Sequence, residues 1–415
     1  MKTRVVVTGL GVVSPLGNSV EEFWSSLLAG KSGVGPITRF DTTIYPARIA
    51  AEVKNFDLSG ILDKKKLRRM DPSEQYAVGA SEEAVKDSGL DLEAVDLDRC
   101  GVIIGSGIGG ITTFEKQHSQ LEKSGPGRVS PFFIPMMIID MCAGLVSIRY
   151  GFRGPNYATV SACASSAHAI LDAMHIIKRG DADIMLAGGA EASITPTAVA
   201  GFCQAKAIST RNDEPEKASR PFDVGRDGFV MGEGSAMLLL ESLEHAQARG
   251  AEIYGEVVGA GMTADAYHMT APAPDGHGAK RAMVLAIKDA GLEPNQIDYI
   301  NTHGTATPLG DIAETTAIKD VLGEHAAKIP CNSTKSMIGH LLGSAGAIEA
   351  VVSLLSIKNS IVHKTTNIDD PDPECDLDYV AEGNRQVDVR YALSNSFGFG
   401  GHNVSLVVGK FDGAS

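Results

Sequence analysis

Apolar stretches of five or six residues alternate along the chain with segments that have a helical pattern. Four of these stretches cover residues 4–9, 101–105, 183–188 and 391–396. They lack the strict alternation of a half-buried strand, which indicates strands covered on both faces. The pattern therefore predicts an α/β fold in which helices pack on both sides of the sheets.

An internal repeat divides the sequence. Residues 84–96 read AVKDSGLDLEAVD and residues 286–298 read AIKDAGLEPNQID. Each copy ends a helix at a glycine and continues through a turn toward an apolar strand. Because 415 residues exceed the size at which single cores usually stop growing, we interpret the chain as two duplicated halves. The join is predicted near Gly250, which gives an N-terminal half of residues 1–250 and a C-terminal half of residues 251–415.

The charge balance narrows the possible partners. The formal net charge of −14 argues against nucleic acid as a partner of the whole surface. One basic run, Lys64-Lys65-Lys66-Leu67-Arg68-Arg69, stands against this background. It is either a solvated helix face or a docking surface for an acidic macromolecule, and the run alone leaves both interpretations open.

Cysteine usage and the N-terminal residues bear on location. The six cysteines form no C-x-x-C pair and no regular framework, so we expect a reducing, cytoplasmic compartment rather than a disulfide or metal framework. The first residues lack the apolar core and cleavage site of a signal peptide. No apolar run approaches the ~18 residues of a membrane-spanning helix.

Two glycine-containing motifs resemble nucleotide-binding sites but do not fit them. Residues 105–110, GSGIGG, satisfy G-x-G-x-x-G after a strand, yet the helical segment that follows leads to no second strand with an acidic ribose ligand. We expect these glycines to let the backbone pass close to another segment or to a ligand. Gly30-Lys31-Ser32 resembles a phosphate loop, but Ser25 stands where its first glycine is required.

Cys163 is the candidate nucleophile. Residues 159–166, TVSACASS, change from a β-branched stretch to small residues just before a helical run. A thiol at the start of a helix faces backbone amides and the positive end of the helix dipole, which are expected to lower its pKa and favour the thiolate. The same amides can hold a developing oxyanion. A buried cysteine that packs as a small apolar residue is the alternative, and this segment alone does not decide between them.

Two histidines occur in turns rich in Gly, Ser and Thr after predicted strands. His303 lies in NTHGTATPLGD, and His340 begins a small-residue helix that also carries Glu349. A Cys–His pair with an Asn or Asp orienter would suggest hydrolysis or simple acyl transfer. Two histidines that donate to one thioester carbonyl would instead stabilise the enolate formed when a malonyl thioester loses CO2.

Five motifs together resemble the β-ketoacyl-acyl carrier protein synthases of the thiolase superfamily. They are VSACASS around Cys163, RPFDVGRDGFVMGEGS at 220–235, NTHGTATPLGD around His303, STKSMIGHLLGSAGA around Lys335 and His340, and SNSFGFGGHN at 394–403. They span nearly the whole chain in the family's order. Ile108 and the apolar run at 132–137 resemble the type II members, and one departure is His402, where threonine is usual.

The resemblance implies a fold, an assembly and a reaction. The fold would be an α/β, thiolase-like arrangement of five layers, αβαβα, from two duplicated halves, and the assembly a homodimer. Cys163 would take an acyl chain from acyl carrier protein; malonyl-acyl carrier protein would then lose CO2 and attack the acyl-enzyme in fatty acid elongation. His303 and His340 would promote the decarboxylation and stabilise the enolate.

Further residues carry over from the family. Lys335 would orient the site and pair with Glu349, and the amides of Cys163 and Phe399 would form the oxyanion hole. Phe399 would also act as a gate that swings once the cysteine is acylated. The resemblance assigns substrate-binding residues as well: Thr305 and Thr307 for the pantetheine arm, Ile108 at the floor of the acyl pocket near the dimer interface, and Phe133, Phe202, Gly398 and Gly400.

The basic run gains a candidate partner, because acyl carrier protein is strongly acidic. The implied docking residues are Lys65, Arg68, Arg69, Lys206 and Arg211. No cofactor is expected to be required, and neither nucleic acid nor membrane insertion is expected. A structural monovalent cation is a further expectation from some relatives, with the implied ligands Asn301, Glu349, Ser394 and Asn395.

Other members of the superfamily are the alternatives. A degradative thiolase would need a second active cysteine near the C-terminus, but Cys375 lies in an acidic loop. Starter-type condensing enzymes carry asparagine where this chain has His340. A polyketide-type ketosynthase shares the Cys-His-His set and stays open, as does a non-catalytic chain-length-factor-like partner, against which the intact Cys163 argues.

Overall fold

The computed structural model describes residues 3–413. The strands are β1 (Val5–Val13), β2 (Gly35–Pro36), β3 (Ile49–Ala50), β4 (Cys100–Gly105), β5 (Asn156–Tyr157), β6 (Ile184–Glu191), β7 (Gly234–Ser242), β8 (Gly255–Ala264), β9 (Tyr299–Asn301), β10 (Cys331–Asn332), β11 (Ile361–Val362), β12 (Arg385–Gln386), β13 (Tyr391–Gly398) and β14 (His402–Gly409). The helices are α1 (Val20–Leu28), α2 (Lys64–Leu67), α3 (Pro72–Asp87), α4 (Ile111–Ser124), α5 (Phe133–Met137), α6 (Met141–Tyr150), α7 (Ser165–Arg179), α8 (Pro196–Gln204), α9 (Leu243–Ala248), α10 (His277–Asp289), α11 (Pro308–Leu322), α12 (Lys335–Ile338) and α13 (Ala345–Asn359).

One large sheet runs through both halves, in the strand order β10-β9-β13-β14-β8-β1-β7-β6-β4-β5. From its centre outward, β1-β7-β6-β4-β5 and β8-β14-β13-β9-β10 have the same directions, with two antiparallel steps followed by two parallel ones. The repeat copies at 84–96 and 286–298 lead from α3 to β4 and from α10 to β9, which are equivalent places. The duplication predicted from the repeat is therefore visible in the topology.

The helices complete five layers. One apolar cluster joins α3 and α6 to the N-half strands, and another joins α10 and α11 to the C-half strands. Between the halves, α7 and α13 pack on strands of both, and side chains such as Ile170, Leu171, Ile348 and Val351 are completely buried there. The fold is thus the predicted αβαβα arrangement. The division at residue 250 falls between α9 and β8 and stays a prediction.

The α3 helix shows how local sequence sets these elements. At the start of the helix the Asp71 carboxylate accepts from the Ser73 N–H, the Glu74 carboxylate accepts from the Asp71 N–H, and Pro72 occupies the first helical position. This is a capping box with proline at a place where no N–H is needed.

No helix within residues 3–413 combines the length and apolarity that crossing a membrane requires.

The glycines of residues 105–110 serve backbone packing, as expected. A Cβ on Gly105 would lie 2.5 Å from the carbonyl carbon of Ser165, and one on Gly110 would lie 2.1 Å from the carbonyl oxygen of Met136. These distances exclude any side chain, because the neighbours are backbone atoms that cannot move aside. The motif thus lets the loop after β4 pass under the start of α7.

Candidate active site

Cys163, His303 and His340 line one cavity of about 530 Å³. Cys163 lies just before α7, His303 follows β9, and His340 precedes α13. The two histidines thus come from the C-terminal half and the cysteine from the N-terminal half. The cavity is formed where these segments meet, so the three side chains can contact one bound thioester.

The turn that presents Cys163 has an unusual backbone. Ala162 has a φ of +51°, a left-handed conformation that costs a non-glycine residue of order 1–3 kcal/mol. Ser161 supports the turn: its N–H donates to the Ser165 hydroxyl (2.9 Å), and its own hydroxyl lies 2.7 Å from Nδ1 of His168. The surrounding hydrogen bonds therefore hold the sulfur at one place in the cavity.

The expected lowering of the Cys163 pKa is wrong. Burial raises the pKa of the thiol to about 11, against opposing effects of the Lys335 charge and of the N–H groups of Phe399 and Cys163. Desolvation disfavours the thiolate more than these donors favour it. The N–H groups of Phe399 and Cys163 both lie close enough to the sulfur to lower the pKa of the thiol. Their role as an oxyanion hole for a thioester carbonyl stays a prediction.

The two histidines form a pair. Their rings meet edge to face with centroids 5.3 Å apart. Burial and then the Lys335 charge lower the pKa of each well below 6.5, so both rings are neutral near pH 7. The Leu342 N–H donates to Nδ1 of His340 (3.3 Å), which leaves the ring proton of His340 on Nε2. A neutral imidazole with its proton on Nε2 can donate a hydrogen bond from that nitrogen, but it does not readily give the proton away.

A buried ion pair lies beside the histidines. Nζ of Lys335 contacts Oε1 of Glu349, and both side chains are almost fully buried. Burial raises the pKa of Glu349 to about 7 against the lowering effect of Lys335. The predicted Lys335–Glu349 pairing is thus present. Because Lys335 is not part of the cavity lining, it acts on the site through its charge rather than by contact.

Most of the predicted substrate-binding residues line the cavity: Ile108, Phe202, Thr305, Thr307 and Gly398, together with Phe399. Two of them do not, Phe133 and Gly400. Phe133 lies on α5, where its ring packs 6.4 Å from that of Phe114, and within one chain it does not contribute to the cavity lining. Gly400 faces the other way along its loop, where its N–H donates to the Met269 carbonyl (2.7 Å).

The loop that carries Phe399 touches the nucleophile turn. A Cβ on Gly398 would lie 2.8 Å from the carbonyl oxygen of Ser161 and 3.0 Å from the Cys163 nitrogen. Gly400 and Gly401 have φ values of +86° and +71°, which favour glycine. The ring of Phe399 lies against Phe202, with centroids 6.4 Å apart. Because the loop contacts this turn, a motion of the loop would change the surroundings of the Cys163 sulfur. The gating role of Phe399 stays a prediction.

Glu314 is a site residue that the sequence reasoning missed. It is completely buried on α11, and its carboxylate accepts the N–H groups of His303 and Gly304, both at 2.8 Å. Asn395 adds a third hydrogen bond to the same carboxylate (3.0 Å). The sequence shows Glu314 as an ordinary helix residue eleven positions after His303, and only the fold turns that helix toward the loop.

The predicted docking residues differ in solvent exposure and in their contacts with the rest of the fold. Lys65, Arg68, Arg69 and Lys206 are exposed, and Lys206 also reaches the cavity lining. The guanidinium of Arg69 lies 4.1 Å from the ring centre of Phe132. Arg211 is half-buried and donates to the Gly225 carbonyl (2.9 Å), so part of its side chain serves the fold.

Three of the four implied cation ligands carry buried oxygens without a hydrogen-bond partner: Asn301 Oδ1, Glu349 Oε2 and Ser394 Oγ. Asn301 and Ser394 are paired in register on adjacent strands. Such oxygens suit a hard cation. Asn395 fits less well, because its side-chain oxygen already accepts from Ser405 (2.8 Å). No group of three or more His, Cys, Asp or Glu side chains suited to a metal ion occurs within the described part of the chain.

Two family models cover most of the chain. The model of the N-terminal domain of β-ketoacyl synthase matches residues 2–246, and that of the C-terminal domain matches residues 254–369. A 3-oxoacyl-[acyl-carrier-protein] synthase 2 from Synechocystis is 54% identical over 410 residues, which is 99% of each chain. One with the same name from Staphylococcus aureus strain COL is 56% identical over 409 residues, again 99% of each.

Solved structures give the same picture. A β-ketoacyl synthase from Burkholderia phymatum has a TM-score of 0.92 at 39% identity, over 99% of this chain and 100% of that one. A type II polyketide ketosynthase, solved in complex with its acyl-carrier protein and bound to a hexaketide, has a TM-score of 0.93 at 37% identity with the same coverage.

Proposed function

The chain belongs to the β-ketoacyl synthase family, and we propose that it extends acyl chains in fatty acid synthesis as a β-ketoacyl-acyl carrier protein synthase II. The observation that carries this proposal is the meeting of Cys163, His303 and His340 in one cavity. A nucleophile beside two neutral imidazoles suits acyl transfer followed by carbanion chemistry. The curated relatives at 54–56% identity bear the corresponding name.

In the first stage, the sulfur of Cys163 attacks the thioester carbonyl of an acyl-carrier protein. The N–H groups of Cys163 and Phe399 stabilise the tetrahedral oxyanion. The carrier thiolate leaves with the proton that Cys163 gives up, and the acyl group stays on the enzyme as a new thioester. Since the raised pKa keeps the resting thiol protonated, this proton must move as the carbonyl arrives.

In the second stage, malonyl-acyl carrier protein places its thioester carbonyl between His303 and His340. The bond to the carboxylate breaks, CO2 leaves, and the electron pair forms an enolate whose oxygen accepts hydrogen bonds from the rings. The enolate carbon then attacks the acyl-enzyme carbonyl, the Cys163 thiolate leaves, and it takes up a proton from water to restore the resting thiol. Neutral rings serve this step, because they stabilise charge on oxygen without giving a proton to the carbanion.

The direct test is an extension assay with acyl-carrier primers of 6 to 16 carbons (a range we choose as about the span of a fatty acid pathway) and malonyl-acyl carrier protein. We expect a β-ketoacyl product two carbons longer than each accepted primer, with one CO2 released per product. Hydrolysis of the primer without a new carbon–carbon bond would contradict the proposal.

A polyketide-type ketosynthase is the second candidate, because a ketosynthase of that type has the same fold over the full length. Its identity of 37% is lower than the 54–56% of the relatives named for fatty acid synthesis. Without a reductase, an iterative polyketide enzyme adds several malonyl units to one primer, whereas the proposed enzyme stops after one. A non-catalytic partner role would leave Cys163 without the chemistry that its surroundings support.

Acyl carrier protein is the proposed partner of the exposed basic side chains on and after α2. The ketosynthase structure solved with its acyl-carrier protein shows such a complex for that relative. Opposite charges would mainly speed the encounter and set its orientation. Lys206 at the cavity lining would then meet the phosphate of the pantetheine arm near the entrance.

A homodimer is proposed through the edge of the sheet at β5. Large apolar side chains are exposed on α5, α6 and β5 and in the segments just after α5 and β5: Ile134, Ile138, Ile148, Tyr157 and Val160. An unpaired edge strand beside exposed apolar groups is typical of an interface. Sedimentation of Ile148→Glu against the unaltered chain tests this, since a dimer through this face would dissociate and a monomer would not change.

We propose a monovalent cation at the oxygens of Asn301, Glu349 and Ser394 as a structural element. When bound, it would supply positive charge to the Glu349 carboxylate and fix β9 against β13. Thermal unfolding in potassium, sodium and choline chloride tests the cation, and equal midpoints would argue against it.

A cytoplasmic location is also proposed, because the six cysteines are all free thiols.

A further inference from the structure

Glu191 gathers five hydrogen bonds at the end of β6. It is completely buried. Its carboxylate accepts from the N–H groups of Gly107 (2.7 Å), Ile108 (3.3 Å) and Gly343 (3.1 Å) and from the hydroxyls of Ser106 (3.1 Å) and Ser193 (3.0 Å). Five donors converge on one carboxylate, which makes this arrangement costly to disturb.

The donors belong to two segments of the active site. Gly107 and Ile108 line the cavity, and the family resemblance implies that Ile108 belongs to the acyl pocket. Gly343 belongs to the turn after His340, next to Leu342, whose N–H holds the His340 ring. A Cβ on Gly343 would lie 2.2 Å from the Gly107 nitrogen, so the two segments touch and the carboxylate bridges them.

We propose that Glu191 is a positioning residue that couples the acyl pocket to the decarboxylation centre. The inference rests on the proposed function, which assigns His340 to the malonyl step, and on the family resemblance, which implies that Ile108 lies in the acyl pocket. Glu191 fixes the backbone of residues 106–108 against the turn that orients His340. The Ile108 side chain then limits the length of the bound acyl chain from a fixed backbone position. A shift of that backbone also disturbs His340.

The Glu191→Gln variant tests the coupling. A glutamine accepts with one oxygen only, and its NH2 group faces N–H and O–H donors that need an acceptor. We expect CO2 release from malonyl-acyl carrier protein to fall at least tenfold. The ratio of kcat/KM for a 16-carbon primer to that for an 8-carbon primer should rise at least threefold, because the pocket floor loosens. Alkylation of Cys163 by iodoacetamide should not slow, since the nucleophile turn keeps its own hydrogen bonds and the Glu191 charge, which helps to raise the pKa of the Cys163 thiol, is removed.

The Ser106→Ala variant separates the effect on the acyl pocket from the effect on decarboxylation. The Ser106 hydroxyl binds Glu191 and accepts the Gly109 N–H (3.2 Å), but it makes no bond to the Gly343 turn. We therefore expect the primer ratio to shift while CO2 release stays within twofold. If Glu191→Gln yields no folded protein, this variant carries the test, and an unchanged primer ratio overturns the proposal.

Glu241→Gln is the matched control. Glu241 is equally buried, on the neighbouring strand β7, and pairs with Arg249 and His245 away from the cavity. Its loss should lower the melting temperature and scale all activities by one factor. If Glu191→Gln behaves in the same way, its role is only structural and the proposal is wrong. A failure of the proposed function would instead appear in the unaltered enzyme, as a Cys163 that no acyl-carrier primer acylates.

Discussion

The two halves of the molecule share a scaffold but not a chemistry. In each half, a short turn with one left-handed residue leads into a central helix: Ala162 (φ +51°) before α7 and Leu342 (φ +47°) before α13. The next residue is Cys163 in the N-terminal half and Gly343 in the C-terminal half. The scaffold therefore offers two equivalent places for a nucleophile, and only one of them carries a cysteine.

The loops after the equivalent strands β4 and β9 differ in the same way. Glu191 holds the N–H groups of Gly107 and Ile108, and Glu314 holds those of His303 and Gly304. Both halves thus fix a loop with a buried carboxylate, but the C-terminal loop presents an imidazole and the N-terminal loop an apolar side chain. The two halves therefore share backbone geometry, and under the proposed function their side-chain differences would divide acyl holding from enolate stabilisation.

The largest expected effect concerns the nucleophile of the N-terminal half. Because the pKa of the Cys163 thiol is raised to about 11, its thiolate fraction should rise about tenfold per pH unit over pH 7–10. Iodoacetamide labelling of Cys163, followed by mass spectrometry, should therefore accelerate roughly a thousandfold over that range. Labelling of the Cys163→Ala variant gives the background from the other cysteines. A rate that levels off near pH 8 would mean that Lys335 and the amides outweigh burial.

The C-terminal half is tested by His303→Ala and His340→Ala. Loss of one oxyanion donor typically costs about 10²–10³-fold in rate, so CO2 release from malonyl-acyl carrier protein should fall by that factor in each variant. Cys163 should still accept the acyl group from a primer. His325→Ala, in the same half but bonded to the Ile297 carbonyl, serves as the control and should retain decarboxylation. Loss of acylation in the histidine variants would break the division between the halves.

Loss of the Lys335–Glu349 ion pair in the C-terminal half should first of all lower the free energy of unfolding. Lys335→Met leaves Glu349 buried without its partner, which typically costs about 3–5 kcal/mol, measurable by urea unfolding. The variant should regain stability as the pH falls from about 8 to 5: the folded pKa of Glu349 lies above its unfolded value, so the folded state binds the extra proton.

A second substitution checks that interpretation. Lys335→Met with Glu349→Leu removes both charges and should restore most of the unfolding free energy, but not decarboxylation, because the charge beside the histidines is gone. Full activity in the double variant would show that the pair only stabilises the fold.

The smallest effect is expected at the surface of the N-terminal half. Reversing charge at Lys65 and Arg68 should raise KM for carrier-linked substrates about tenfold and leave small thioesters unchanged, because surface charges mainly affect encounter. The effect should weaken as salt is added. Lys288→Glu, on the exposed side of α10, is the matched control. Equal effects on both substrate classes would favour the solvated-face interpretation of the basic run.

The sequence predicted the architecture well because its evidence was local. Apolar runs marked β1, β4, β6 and β13, and the repeat marked the equivalent helix–strand units. The segment around Cys163 was placed correctly before a helix for the same reason. These features depend on neighbours along the chain, which a single sequence displays.

Features that depend on distant contacts were not predictable in this way. The Cys163 pKa was expected to be lowered by the helix, but burial by segments from both halves raises it. Glu191 and Glu314 look like ordinary residues until the fold brings loop N–H groups to them. Phe133 was placed in the pocket by resemblance, yet in one chain it packs against Phe114 instead.

The central claim is that a sulfur from one half and two imidazoles from the other act on substrates in the same cavity. Cys163→Gln tests it most directly, since it removes the nucleophile and leaves an amide in its place. We expect this variant to form no β-ketoacyl product yet to release CO2 from malonyl-acyl carrier protein, and the added change His303→Ala to reduce that release about a hundredfold or more. Undiminished CO2 release after the loss of His303 would contradict the account.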